Sequence, residues 1–337
     1  MHKPNRLLKK AGTCFDKPVL SGVEGLSMNG KFAIISRPSP FALSLSKGSE
    51  TVFQQTFKRL RCAVWALYFA LLIAGCSAPV NTAPAPASRA ADDRLDAILW
   101  QVTSVEYRIL AQSIYASAAT HLERALADRQ WTALPAQKEN FQNLPPAVIV
   151  DVDETVIDTS KFQSQLVRNQ ARFSPRPWSE WQARNEPQAV PGAVEFINYA
   201  ESRGVTVFYV TNRDYTTEQS TRLNLKTIGL KLPEHIDTVL TRNERPAWPS
   251  DKESRRRHIG QSYRVLLLVG DDLADFISEY RTPEQTRMRE AQKYSQWGTK
   301  WFMLPNPMYG SWESTLYDFN TDLSREEISQ RKFKRLP

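Results

Sequence analysis

Cysteine is scarce in this chain of 337 residues, which has only Cys14, Cys62 and Cys76. From Ser77 onward there is no thiol, so disulfide staples and thiolate nucleophiles are excluded from the bulk of the chain. Histidine is also rare. His121, His235 and His258 lack the spacing of metal ligands and read as ordinary structural residues. No apolar run reaches the roughly 20 residues that a membrane-spanning helix needs. Nor is there a charge surplus beyond the N-terminal segment. Lys and Arg number 44 against 36 Asp and Glu, a net +8. Residues 1–75 hold 11 basic and 3 acidic side chains, so the remainder balances to zero. A phosphate-tracking basic surface, and with it nucleic-acid binding, is not indicated. Hydrophobic residues at 41% and charged ones at 24% match an ordinary soluble domain.

What the N-terminal part does contain is a targeting pattern. Lys58, Arg59 and Arg61 precede the apolar run Cys62–Ala74, the arrangement of a secretory signal. The run ends in Leu72-Ile73-Ala74-Gly75-Cys76, small residues before a cysteine, which resembles a bacterial lipobox. Residues 52–75 are therefore read as a lipoprotein signal peptide and Cys76 as the lipidated mature N-terminus. Ser77 resembles a choice of outer-membrane sorting, facing the periplasm or the cell surface. Residues 1–51 lie too far upstream of the basic residues and lack apolar periodicity. They are read as a leader or spurious extension, with the true start near Val52. Residues 76–91, rich in Pro, Ala and Ser, read as a lipidated tether.

From Asp92 to about Arg129, Leu95, Ile98, Leu99, Val102, Val105, Leu110, Ile114 and Ala118 recur at helical spacing. One long helix is expected, packed on the core or on a second subunit, so a homodimer stays open. Strand and helix signals then alternate. Strands are expected at Ala147–Val152, Val205–Val210, Thr238–Leu240, Val265–Val269 and Trp301–Leu304. Helices are expected at Ala193–Ser202 and Thr217–Ile228, closed by Gly204 and Gly229. This order predicts an α/β fold, a parallel sheet with helices on both faces. Catalytic residues then belong at the carboxyl ends of strands.

Four such ends carry chemistry. The first strand ends in Val150-Asp151-Val152-Asp153-Glu154-Thr155, two acids at close spacing after a wholly apolar run. Burial of both needs a cation or hydrogen bonds to offset it. The second ends in Thr211-Asn212-Arg213, where a hydroxyl can meet a phosphoryl oxygen, although Thr-Asn is also an ordinary helix cap. Lys252 stands at a helix start, able to offer a point charge to phosphate. The fourth end, Gly270-Asp271-Asp272-Leu273-Ala274-Asp275, adds oxygen ligands suited to Mg²⁺.

Together these segments resemble the signature of the haloacid-dehalogenase (HAD) superfamily: D-x-D-x-T, a strand-end Thr, a Lys, then G-D-x-x-x-D. Ser104–Tyr107, Trp178–Trp181, Val190–Phe196, Phe208–Arg213 and Met303–Glu313 are further similar to class C acid phosphatases, the bacterial lipoprotein-e type enzymes. The likeness runs from about Leu99 to about Leu316. It implies a HAD-like Rossmannoid sheet over residues 92–337, with a small helical or irregular cap at about 158–190. Two positions depart from the pattern: Asp272 stands where Asn is usual, and Thr159–Phe162 differs.

The resemblance implies a Mg²⁺-dependent phosphomonoesterase. Asp151 is the expected nucleophile, forming an aspartyl-phosphate, and Asp153 the general acid and base. Thr211, the backbone of Asn212 and Lys252 are expected to grip the phosphoryl oxygens. Asp151, the carbonyl of Asp153, Asp271 and Asp275 are expected around the metal. Trp178 and Tyr309 are expected to flank the leaving group, favouring aryl phosphates and nucleoside monophosphates, with Trp181 as core packing. The Arg-His-Gly motif of histidine acid phosphatases is absent; Arg257-His258-Ile259-Gly260 only approximates it. A catalytically inactive HAD-fold lipoprotein that binds nucleotide or phosphate is the alternative. A nucleophile paired with a second acid argues against it. The lipobox argues against a third reading, an intracellular phosphotransferase or dehalogenase.

Overall fold

Alternation along the strands builds a sheet with two buried faces. In β1 (Pro146–Val150), Val148 and Val150 enter one core, and Ala147 and Ile149 the other. The computed structural model describes residues 92–337. The readings of residues 1–51, 52–75, Cys76 and the tether at 76–91 lie outside the described residues. Among the described residues no helix is long and apolar enough to cross a membrane.

The remaining strands of the main sheet are β4 (Thr206–Asp214), β5 (Val239–Arg242), β6 (Arg264–Gly270) and β7 (Trp301–Met303). Their order is β5-β4-β1-β6-β7, all parallel. From β1 the chain goes first to β4 on one side and later to β6 on the other. That reversal at β1 opens a crevice at the carboxyl ends of the strands. One core packs the sheet against α2 (Val105–Ala127) and α5 (Ala193–Ser202). The other packs it against α7 (Glu253–Ser262) and the segment around Phe276 and Ile277.

Between β1 and α5 the chain makes an excursion. Two short antiparallel strands, β2 (Ile157–Asp158) and β3 (Gln188–Ala189), pair at its base. They enclose α3 (Ser160–Arg168) and α4 (Pro175–Ala183). The cap segment is therefore two helices on a two-stranded stem.

The structure departs from the sequence reading in two places. The expected single long helix is two, α1 (Leu95–Thr103) and α2. Ser104 breaks it with an extended backbone, φ −80° and ψ 139°. Its hydroxyl accepts the Tyr107 N–H at 3.0 Å, an N-cap that wins over an apolar pattern running through it. Leu95, Leu99, Val102, Val105 and Ile109 stay exposed around this break. The second departure is in β4, which runs on through Thr211, Asn212 and Arg213 instead of stopping at Val210. Those residues are thus held by strand geometry. Ser104→Ala should cost about 1 kcal/mol by loss of the cap, read as a lower midpoint in urea denaturation with an unchanged slope.

Candidate active site

The ends of β1, β4 and β6 bring the expected residues to one crevice. Asp151 follows β1, its N–H donating to the Val269 carbonyl at 2.9 Å. Carboxylate oxygens of Asp151, Asp271 and Asp275 lie within 4.8 Å of one another. Lys252, the residue before α7, donates to Asp151 and, at 2.6 Å, to Asp275. The other Asp275 oxygen accepts the N–H groups of Asp271 and Asp272 at 3.1 and 2.9 Å. Asp271 is oriented by Thr155 Oγ1 and Asn306 Nδ2, each at 2.9 Å.

Asp153 does not join that cluster through its side chain. Arg213, fully buried, holds both of its oxygens, with Nε 3.1 and 3.0 Å away and Nη2 at 2.7 Å. Arg213 is anchored in turn to Asn224 Oδ1 at 2.8 Å. Asn224 donates to the Gln182 carbonyl of the cap helix at 3.1 Å. Two acids two residues apart therefore have separate surroundings.

Thr211 and Asn212 are fixed from behind. Arg255, with no exposed surface, donates to the Thr211 carbonyl at 2.5 Å and to Asn212 Oδ1 at 2.7 Å. Arg256 donates to the carbonyls of Ala274 and Asp275 at 3.1 and 2.8 Å. Successive arginines of one helix thus pin the end of β4 and the turn after β6.

The electrostatics of the cluster favour a cation. Burial pushes the Asp151 carboxyl up to about 7, Lys252 opposing and Asp275 and Asp153 adding to the rise. Burial, then Asp151 and Asp275, also holds Asp271 well above the ordinary carboxylate range. Burial disfavours the Lys252 charge, yet Asp151 and Asp275 keep its pKa above the ordinary value. One ammonium among three carboxylates leaves negative charge uncompensated. A hard divalent ion with oxygen ligands fits that donor set.

The crevice continues into a cavity of about 870 Å³ that reaches Trp178 and Tyr309. Trp178 stacks on buried Trp181, centroids 5.2 Å apart and planes 7° from parallel. The Arg213 guanidinium carbon lies 5.4 Å from the Trp178 ring centre. Tyr309 donates from its hydroxyl to buried Glu154, which also accepts Thr159 N–H at 2.9 Å. Asp272 has a role that an amide fills poorly. Its two oxygens accept the N–H groups of Ala274 and Ser311 and the Ser311 hydroxyl. Gly310 is needed beside it: its φ is +144°, and a Cβ there would stand 2.8 Å from Asp272 Oδ2.

Residues 51–312 match the family described as HAD superfamily, subfamily IIIB (acid phosphatase). The chain belongs to that family. The structure of the class C acid phosphatase from Bacillus anthracis is similar, with 31% sequence identity and a TM-score of 0.63. The match covers 72% of this chain and 96% of that one. The same enzyme with tungstate bound aligns at 30% identity and the same TM-score. Among curated relatives, the stem 28 kDa glycoprotein of Glycine max is 22% identical over 165 residues, 48% of this chain and 58% of that one. A stem 31 kDa glycoprotein of Glycine max is 24% identical over 162 residues. The chain thus spans under two thirds of the curated relatives it matches.

For this acid phosphatase family member the structure brings together every site residue read from the sequence at 151–309. It adds Arg213, Asn224, Arg255, Arg256, Asn306 and Glu154, which sequence reasoning passed over. Arg255-Arg256-Arg257 looks like a solvated run, yet only Arg257 is exposed. His121, His235 and His258 stay outside the acidic cluster; His121 Nδ1 lies 2.9 Å from the Ser117 carbonyl within α2. Arg213→Met should destabilise the fold by about 3 kcal/mol, because it strands the Asp153 charge and the Asn224 amide. Guanidinium denaturation of wild type and variant would measure it.

Proposed function

We propose that the chain is a Mg²⁺-dependent acid phosphatase that hydrolyses phosphomonoesters through an aspartyl-phosphate. The observation that carries this reading is the division between Asp151 and Asp153. Asp151 lies with Lys252 and the acidic cluster, where a phosphoryl group and a cation can meet it. Asp153 is turned to Arg213, free of the cluster. A binding protein has no use for that division; a two-step transfer has. Tungstate in the Bacillus anthracis enzyme is a tetrahedral oxyanion, which favours an oxyanion grip in a site of this kind.

In the first step an Asp151 oxygen attacks phosphorus and the ester P–O bond breaks. Asp153 gives its proton to the departing oxygen. In the second, Asp153 takes a proton from water as the water oxygen attacks phosphorus. The Asp151–phosphorus bond breaks, returning the carboxylate and inorganic phosphate. Thr211, the Asn212 backbone and Lys252 hold the phosphoryl oxygens throughout. Asp151, the Asp153 carbonyl, Asp271 and Asp275 would hold Mg²⁺. When bound, it neutralises repulsion between the carboxylates and the phosphoryl group. The reaction needs a second proton carrier because an alkoxide must be protonated, whereas a halide leaves without a proton.

Trp178 and Tyr309 reach the cavity from the cap and from the loop after β7, and both line it. The flat faces suit an aryl or nucleoside leaving group, with stacking of about 1 kcal/mol per contact. The lipobox favours a lipid anchor at Cys76 and an outer-membrane location. The exposed apolar residues around Ser104 favour a second copy of the chain as the homodimer partner.

With p-nitrophenyl phosphate, wild type should release phosphate in Mg²⁺ and stop in EDTA, and Asp151→Asn should lose at least about a thousandfold in kcat. Turnover by that variant near the wild-type rate would end the nucleophile assignment. Trp178→Ala should lower kcat/KM for nucleoside monophosphates about fivefold, and for glycerol phosphate little, following the stacking energy. An equal fall on both substrates would instead mark Trp178 as a packing residue.

A further inference from the structure

The cavity has a second end. Among the described residues, seven cationic side chains line it, and five are ion-paired. Lys252 and Arg213 are engaged with the catalytic acids. Arg94 and Arg325 share Asp92 at 2.9 and 2.5 Å, and Lys332 bridges Asp93 and Glu313 at 2.7 and 2.5 Å. Arg172 and Arg281 have no carboxylate partner within ion-pair distance among the described residues.

Both of these arginines meet one short loop. Arg172 donates from Nη1 to the Leu323 carbonyl at 2.5 Å. The Arg281 guanidinium carbon sits 5.2 Å from the centre of the Phe319 ring. The loop itself has a defined shape. Asp318 and Phe319 are successive left-handed residues, φ 58° and 56°, and Phe319 N–H donates to the Ser314 carbonyl at 2.8 Å. Arg331 on the C-terminal helix holds Asp318 at 2.7 Å. Phe173, next to Arg172, lies 6.2 Å from Trp178 between ring centroids, and Phe319 also lines the cavity.

The cavity is therefore polar along its length. Its wall carries the acidic cluster of Asp151, Asp271 and Asp275 and also, on Arg172 and Arg281, guanidinium charge without a carboxylate partner. A positive surplus in a walled cavity raises the local concentration of anions, and guanidinium is the group best suited to phosphate. A volume of about 870 Å³ leaves room beyond a single phosphate and a stacked ring.

We propose that Arg172 and Arg281 form a second anion subsite that binds a second phosphate carried on the leaving group. The favoured substrate class is then a nucleoside or aryl bisphosphate, one phosphate at Asp151 and the other at the outer arginines. This rests on the phosphomonoesterase reading for its chemistry, but its binding is testable separately.

The test uses the full chain carrying Asp151→Asn, with Mg²⁺, to measure binding without turnover. Calorimetry compares adenosine 5′-monophosphate with adenosine 3′,5′-bisphosphate. The bisphosphate should bind about tenfold tighter, the scale of a charge-assisted contact. Adding Arg172→Gln and Arg281→Gln should bring the ratio close to one, while the single Arg281→Lys keeps most of it. Equal affinities for the two nucleotides, or a ratio untouched by the double substitution, would overturn the subsite. Both arginines are exposed, so the variants are expected to fold, and the Arg281→Gln single variant gives a second reading of the ratio. Failure of wild type to hydrolyse p-nitrophenyl phosphate would sink the phosphatase reading instead, and the binding ratio would still decide the subsite.

Discussion

Mutual repulsion among Asp151, Asp271 and Asp275 is the constraint around which this structure is arranged. Parallel strands end side by side, so acids at the ends of β1 and β6 are forced together out of water. Taking such charges from solvent costs several kcal/mol each unless partners compensate. Lys252 compensates in part, and the N–H groups of Asp271 and Asp272 steady one carboxylate. What remains uncompensated is a well-formed demand for a cation and for the charge redistribution of phosphoryl transfer. Each other device in the site follows from keeping those acids in place against their own repulsion.

Buried arginines do most of that holding. Loops at strand ends lack ladder hydrogen bonds, so their carbonyls need donors from elsewhere. A guanidinium supplies several donors in a fixed plane. Arg255 and Arg256, neighbours on α7, reach Thr211–Asn212 at the end of β4 and the Ala274–Asp275 turn respectively. Arg213 does the same for Asp153 while lying against the cap tryptophan. One helix and one strand thereby set the distance between Thr211–Asn212, the acidic cluster and Asp153.

The legible part of this architecture is the part carried by local contrast. Apolar runs such as Val265–Val269 stand out, and acids at their ends are anomalous enough to be read as functional. Helix Ala193–Ser202 ends where Gly204 permits a positive φ, and the structure places it at those residues. Ser104 shows the limit of periodicity. Its cap was present in the letters, but the apolar pattern continued across it and masked the break. The three arginines were hidden for a different reason. Charged side chains read as solvated, and only the packing of α7 against the sheet turns two of the run at 255–257 inward. The Tyr309–Glu154 contact, spanning most of the domain, has no local trace at all.

That last contact also explains how the cap and the chemistry are joined. Glu154 follows Asp153 directly and adopts a left-handed backbone, φ 58°, which turns its side chain into the fold. Burial, reinforced by Asp153, holds its carboxyl well above the ordinary range. It is met by Thr159 at the start of the cap and by Tyr309 from the loop after β7. On the opposite side Asp153 is tied through Arg213 and Asn224 to the Gln182 carbonyl on α4, the helix that also carries Trp178. Trp178 and Tyr309 are therefore both fastened to the turn that holds Asp153. The turn, the cap helix and the loop after β7 thus share one set of hydrogen bonds, and that set also meets Thr211, whose Oγ1 accepts the Arg213 N–H at 3.0 Å.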